Sequence, residues 1–140
     1  MKIYIHELEY AISFLYRLNL KDYSSRMRTR VLKLLSERYQ QYKDEYVQLV
    51  KEHARLDEQG EPVIIAGETG QRYAIDDPEE FSRTLEPLLY EQFVIEANEN
   101  NKAMMQSVAQ SVLHCDLSFE GDEQFQYDRL AEIFEAIPDH

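Results

Sequence analysis

Residues 22–56, DYSSRMRTRVLKLLSERYQQYKDEYVQLVKEHARL, run for 35 positions without a glycine or a proline. Turned at about 100° per residue, Met27, Val31, Leu34, Leu35, Tyr42, Tyr46, Leu49 and Leu56 fall within one arc, the signature of a helix with one apolar face. The spacing predicts a single helix from Asp22 to Leu56, roughly 45–50 Å long at 1.5 Å per residue. Asp22, Ser24 or Ser25 can cap it, because a short side-chain oxygen accepts an orphan N–H at a helix start. The arc is too irregular for a sustained coiled coil, so the helix is expected to pack on its own chain.

Upstream, Lys2 to Ile5 reads as a short strand. His6 to Leu18 reads as a helix with Leu8, Ile12 and Leu15 on one face, interrupted at Asn19–Asp22. Downstream, Asp57-Glu58-Gln59-Gly60 should stop the long helix, Gly60 supplying the permissive C-terminal conformation. Pro62–Ala66, Gly67-Glu68-Thr69-Gly70 and Gln71–Ile75 read as a β-hairpin. Asp76 or Asp77 then caps a helix with Pro78 in its first turn and Phe81, Leu85, Leu88 and Leu89 on its apolar face. Pro87 should kink or shorten that helix. Gln92–Ala97 is a further strand candidate. Asn100 or Asn101 starts a helix carrying Met104, Met105, Val108, Val112 and Leu113. A last helix from about Asp122 to Ala136 turns Phe125, Leu130, Ile133, Phe134 and Ile137 inward. The expected fold class is α+β, mainly α: one long helix packed with about four shorter ones and a small antiparallel β-sheet or hairpin.

A chain of 140 residues suits one domain, here 1–140. Its 44% hydrophobic share argues against wholesale disorder. No apolar run approaches the ~20 residues a bilayer-spanning helix needs, so no membrane partner is expected. The opening MKIYIHELEY carries charge among its apolar residues and is no signal peptide. The single cysteine, Cys115, excludes an internal disulfide and fits a reducing, cytoplasmic setting. Net charge is −12, unevenly spread. Between Lys21 and Arg38 six Lys/Arg face two Asp/Glu, while the last fifty residues carry eleven acids and two bases. Duplex nucleic acid is not an expected partner, because neutralising phosphates takes a broad basic surface.

No catalytic constellation is legible. His6, His53, His114 and His140 stand in no H-E-x-x-H frame, and no second cysteine accompanies Cys115. In His114-Cys115-Asp116 adjacent side chains point in different directions and cannot converge on one atom. His53 falls on the apolar arc and reads as a core histidine. Gly67-Glu68-Thr69-Gly70 lacks the lysine and hydroxyl residue of a phosphate loop. The paired acids Asp76-Asp77, Glu79-Glu80 and Asp122-Glu123 sit where helices begin, and capping accounts for them. The chain therefore reads as a non-enzyme that needs neither cofactor nor metal.

The remaining constellation is Ser24-Ser25-Arg26-Met27-Arg28-Thr29-Arg30, followed by Lys33 and Arg38. Arg26, Arg30 and Lys33 stack on the face opposite the apolar arc, near a helix N-terminus that favours anions. Guanidinium forks capture phosphate or carboxylate bidentately. Tyr23, with Tyr16, Tyr39 and Tyr42, is close enough in sequence to add a stacking surface. The anion-binding candidates are thus Tyr23, Arg26, Arg28, Arg30, Lys33 and Arg38. The competing explanation is a solvated face that pairs with the acidic remainder of the chain. Arg28 falls at the edge of the apolar arc and Arg38 inside it, and burying an unpaired guanidinium costs several kcal/mol. Each of these two needs a partner.

Ser25–Leu35 (SRMRTRVLKLL), Glu52–Pro62 (EHARLDEQGEP), Asp77–Phe81 (DPEEF) and Tyr127–Ile137 (YDRLAEIFEAI) resemble a family of small proteins from phages and prophages of Gram-positive bacteria. The resemblance spans nearly the whole chain. That family is a domain of unknown function with no assigned active site, so the resemblance implies a phage accessory protein in the host cytoplasm and transfers no functional residues. The expected function is a non-enzymatic interaction protein that counters host defence. It would bind a host defence protein or sequester an anionic signalling nucleotide through the arginine cluster. The alternative is an accessory protein of phage tail or virion assembly. Frequent Tyr and Met, both favoured at interfaces, point to a homo-oligomer, with a dimer as the simplest form.

Overall fold

The computed structural model describes residues 1–68 and 70–138. Thr69 of the expected hairpin turn and His140 lie outside the described residues. The architecture is α+β and mainly α. In chain order it runs β1 (Lys2–Tyr4), a 3₁₀ turn (Ile5–Glu7), α1 (Leu8–Arg17), α2 (Asp22–His53), β2 (Ile64–Gly67) and β3 (Gly70–Tyr73). It continues with α3 (Pro78–Leu89), β4 (Gln92–Val94), α4 (Lys102–Leu113) and α5 (Glu123–Glu135). The four strands make two separate antiparallel pairs, β1 with β4 and β2 with β3. No described helix is long and apolar enough to cross a membrane.

The chain divides into two compact units, Met1–Tyr39 with Gln92–His140, and Gln40–Glu91. In the first, β1 lies in register against β4, with Ile3 opposite Phe93. Its core is built from Ile3, Ile5, Leu8, Phe14, Leu15, Val31, Leu35, Met105, Val108, Val112, Leu130 and Phe134, all buried. Each such side chain removed from water contributes about 1.5–3 kcal/mol. An aromatic cluster extends that core, with the Phe119 ring stacked 4.1 Å from Tyr127 and Phe14 5.4 Å from the same ring. Where the sequence suggests α-helix from His6, the first turn is 3₁₀ instead. Glu7 caps that turn, its Oε1 accepting the Tyr4 N–H at 3.0 Å.

The second unit holds the C-terminal part of α2, the β2–β3 hairpin and α3. Its core contains Leu49, Val50, Ala54 and Ala74. The hairpin is in register from Ile64 opposite Tyr73 to Gly67 opposite Gly70. Asp77 caps α3, its carboxylate accepting the Glu80 N–H at 3.2 Å, and Pro78 opens the helix. Pro87 sits inside α3, which ends two residues later. The imidazole of His53, half-buried, meets the ring of Phe81 edge-on at 5.8 Å.

Four expectations are corrected. The long helix ends at His53 rather than Leu56, because the Arg55 N–H donates to Ala74 O at 2.9 Å and Leu56 bridges to Pro62. Pairing with the hairpin edge outcompetes another helical turn. Gly60 therefore caps no helix. Its φ of +78° closes a separate turn in which the Asp57 carboxylate accepts the N–H groups of Gln59 and Glu61. Leu34 and Leu56, placed on the buried arc by spacing, are 36% and 45% exposed. Phe125, expected inward, is 74% exposed on the first turn of α5.

Candidate functional site

The N-terminal half of α2 sorts its basic residues into two groups by their phase around the helix. Arg28 and Arg38 are half-buried, whereas Arg26, Arg30 and Lys33 are exposed, as is Tyr23 at 54%. Arg28 is a structural residue. Its Nη1 donates to the Leu15 carbonyl at 2.8 Å and the Leu18 carbonyl at 2.7 Å, and its Nη2 reaches Ser25 Oγ at 3.4 Å. Both carbonyls lie at the C-terminal end of α1, where intrahelical donors run out, and the Leu15 carbonyl also accepts the Leu18 N–H at 3.4 Å. One guanidinium reaches both and staples the turn between the helices. The partner its position demands is thus the backbone of α1, and Arg28 does not join an anion site. Arg38 is likewise engaged within the fold. Tyr39 and Tyr42 are half-buried and do not stand on the exposed face.

Arg26, Arg30 and Lys33 behave differently. Among the described residues none forms an ion pair or a side-chain hydrogen bond with them. Two other cations of this unit do have acidic partners. Arg17 Nη1 lies 2.7 Å from Glu123 Oε2, which also accepts the Tyr10 hydroxyl at 3.0 Å, and Arg129 Nε lies 2.7 Å from Glu7 Oε2. The hydrogen bond from Arg17 holds the Glu123 carboxyl below its usual range. Glu123 and Glu7 thus pair with Arg17 and Arg129, and the α2 stripe has no such partner among the described residues.

Two flanks border the stripe. On the α1 side lies an open groove of about 530 Å³ lined by Ile12, Tyr16, Leu32, Lys33, Ser36 and Glu37, with Tyr16 78% exposed. On the other side stand Tyr23 and the partly exposed Leu34. Charge along the crest with apolar and aromatic surface beside it is the composition of a recognition face. Sequence reasoning found the cations and Tyr16 but missed the groove. Its signal was available in Ile12, Tyr16 and Leu32, which face one another only once α1 and α2 are paired.

Cys115 Sγ lies 3.9 Å from the Tyr127 hydroxyl, while His114 and Asp116 are exposed. The Tyr127 hydroxyl donates to Val112 O at 2.8 Å, and burial, then the contact with Cys115, pushes this phenol up to about 12. Among the described residues no group of three or more His, Cys, Asp or Glu is placed to hold a metal ion. Comparison with protein-family models, curated proteins and solved structures finds no match to this chain.

Proposed function

We propose that the protein works by binding, and that the exposed face of α2 docks on a carboxylate-bearing surface of another protein. The observation that carries this reading is the unpaired stripe of Arg26, Arg30 and Lys33 in a chain of net charge −12, bordered by Tyr16, Tyr23 and Leu34. Shape favours a protein over a nucleotide on this face. Small-molecule sites enclose most of their ligand, and a helix crest open to solvent cannot. Arginine and tyrosine are the residue types that dominate binding energy at protein interfaces. The setting is that of a phage accessory protein in the host cytoplasm, occluding a component of host defence. Arginine forks that reach carboxylates in a desolvated interface are worth about 1.5–3 kcal/mol each.

Plating efficiency tests this reading. A phage deleted for the protein should plate poorly on a host that carries the targeted defence and normally on a host that lacks it. Expression of the wild type should restore plating, whereas Arg26→Ala/Arg30→Ala/Lys33→Ala should fail to do so while folding normally. Full rescue by the triple variant overturns the assignment of the face. Loss of plating on both hosts would instead identify a tail or virion assembly role, for which the long helix is an assembly surface.

A further inference from the structure

A second cationic constellation lies in the unit Gln40–Glu91, built from residues far apart in sequence. Tyr46 of α2, Arg55 of the segment after it, Ile65 of β2, Arg72 and Tyr73 of β3 and Pro78 of α3 line a concavity of about 370 Å³. The backbone explains why they meet. Arg55 N–H donates to Ala74 O, Ala74 N–H to Val63 O and Val63 N–H to Arg55 O, all at 2.8–2.9 Å. These three bonds lock residue 55 against the hairpin that carries Arg72. The Arg72 side chain extends across the hairpin toward Gly67, its Nε only 3.6 Å from where a Cβ on that glycine would stand. A smaller neighbour at 67 leaves the guanidinium room to lie along the strands.

The lining has an unusual charge for this chain. No carboxylate contributes to it, nor to the adjoining hollow of about 400 Å³ that shares Tyr46, Arg72 and Tyr73. Neither Arg55 nor Arg72 has an ion pair or side-chain hydrogen bond with a described residue. Two guanidiniums offer ten N–H donors between them and accept nothing, so an anion is the ligand that matches both their charge and their donors. Ile65, Pro78 and the two phenol rings supply flat apolar wall. The volume lies within the range of small-ligand sites, about 300–1,000 Å³.

The geometry points to a binding site for a small organic anion, a phosphate or carboxylate carried on a flat ring. Arg55 and Arg72 grip the anionic group, while Tyr46 and Tyr73 stack on or hydrogen-bond the ring. The site is independent of the α2 face: it can exist whether or not that face docks on a protein.

Phenyl phosphate, AMP and inorganic phosphate are the probes, titrated against the full-length protein by calorimetry and by thermal shift. Phenyl phosphate should bind in the sub-millimolar range and at least tenfold more tightly than inorganic phosphate, reflecting the ring contribution. Arg55→Gln or Arg72→Gln should each weaken it tenfold or more, and Tyr73→Leu should erase the preference over inorganic phosphate. Arg83→Gln, an exposed cation outside the lining, should leave affinity unchanged. Both lining arginines are exposed, so their replacement removes no core packing, and an unaltered circular dichroism spectrum verifies the fold. Failure of phenyl phosphate and AMP alike to bind at about 10 mM, well above the millimolar range of weak recognition, overturns the inference. So does equal affinity in wild type and Arg55→Gln/Arg72→Gln.

Discussion

Replacing Arg28 by alanine is the sharpest test of how the two arginine groups divide. The side chain donates two hydrogen bonds of 2.7–2.8 Å to carbonyls at the end of α1 from a half-buried position. Hydrogen bonds from a charged donor are worth about 1.5–3 kcal/mol each in a protected site. Here water can reach the vacated carbonyls in part, so roughly 1–1.5 kcal/mol per bond is the fitting value. Alanine returns a few tenths in helix propensity. The net destabilisation is about 2 kcal/mol, which for a chain of 140 residues lowers Tm by about 6 °C. Arg26→Ala carries the same propensity gain with no bond to lose and serves as the internal reference, staying within about 0.5 kcal/mol of wild type. Arg28→Lys keeps the charge near the α1 C-terminus, worth about 0.3–1 kcal/mol, but its ammonium ends one bond short of the Nη1 position that donates to both carbonyls, and it should recover less than half of the loss. Urea and thermal unfolding followed by circular dichroism measure all three. Equal stability of Arg28→Ala and Arg26→Ala, or full rescue by lysine, would refute the bidentate cap.

The α5 register predicts that Phe125→Ala changes stability by less than about 0.5 kcal/mol, since the ring is 74% exposed. Phe134→Ala, at a fully buried ring, should cost about 3–5 kcal/mol in the same urea titration. Gly60→Ala should lose about 1 kcal/mol, because φ is +78° although space is open around the added methyl. The Tyr127 phenol, raised from its ordinary 10.0 to about 12, stays protonated in the fold where the unfolded chain has already ionised. Its contribution is intact below pH 10 and lost as pH rises through 12. The urea midpoint should therefore fall over that interval more steeply in wild type than in Tyr127→Phe, and parallel curves would reject the assignment.

Phase around the helix was readable from the primary structure, and tertiary closure was not. At about 100° per residue, Arg26, Arg30 and Lys33 lie away from Val31 and Leu35, which are fully buried, and all three are exposed. The same reasoning placed Arg28 and Arg38 on or beside the buried arc, where they are half-buried. What spacing could not supply was the acceptor for Arg28. It is a pair of backbone carbonyls on α1, available only after residues 18–21 fold back. Ala54-Arg55-Leu56 has good helix propensity and was read as helix, yet bridges to Ile75 and Pro62 take that backbone. Propensity is a local term of tenths of a kcal/mol, and completing a sheet edge outweighs it. Phe125 failed for a different reason. Its phase is roughly 140° away from Leu130 on the helical wheel, and its hydrophobicity was given more weight than its direction. Arg55 and Arg72 stand seventeen positions apart with no periodic relation, so only the three-way pairing at Ala74 brings them to one hollow.

The acidity of the chain sets a condition on any anion that approaches its cations. In unscreened water each unit charge at about 20 Å contributes roughly 0.2 kcal/mol, so a net −12 opposes an incoming negative group by roughly 2.5 kcal/mol. One guanidinium at about 4 Å attracts the same group by roughly 1 kcal/mol in water and more where solvent is displaced. The two effects are comparable, so ionic strength decides between them. At about 0.01 M salt the Debye length is about 30 Å and the whole body is felt. At about 0.1 M it is about 10 Å, which cuts the distant repulsion several-fold and the contact attraction by about a third. At about 1 M, with about 3 Å, the distant repulsion is gone and the contact attraction falls to about a quarter. Affinity for an anionic probe such as phenyl phosphate should therefore rise from 0.01 to about 0.1 M salt and fall again toward 1 M. A basic protein would show only the fall. Calorimetric titration across that range measures the profile. A monotonic decline from the lowest salt would mean that the local cations dominate at every distance, and that the acidic body plays no part in selecting what reaches them.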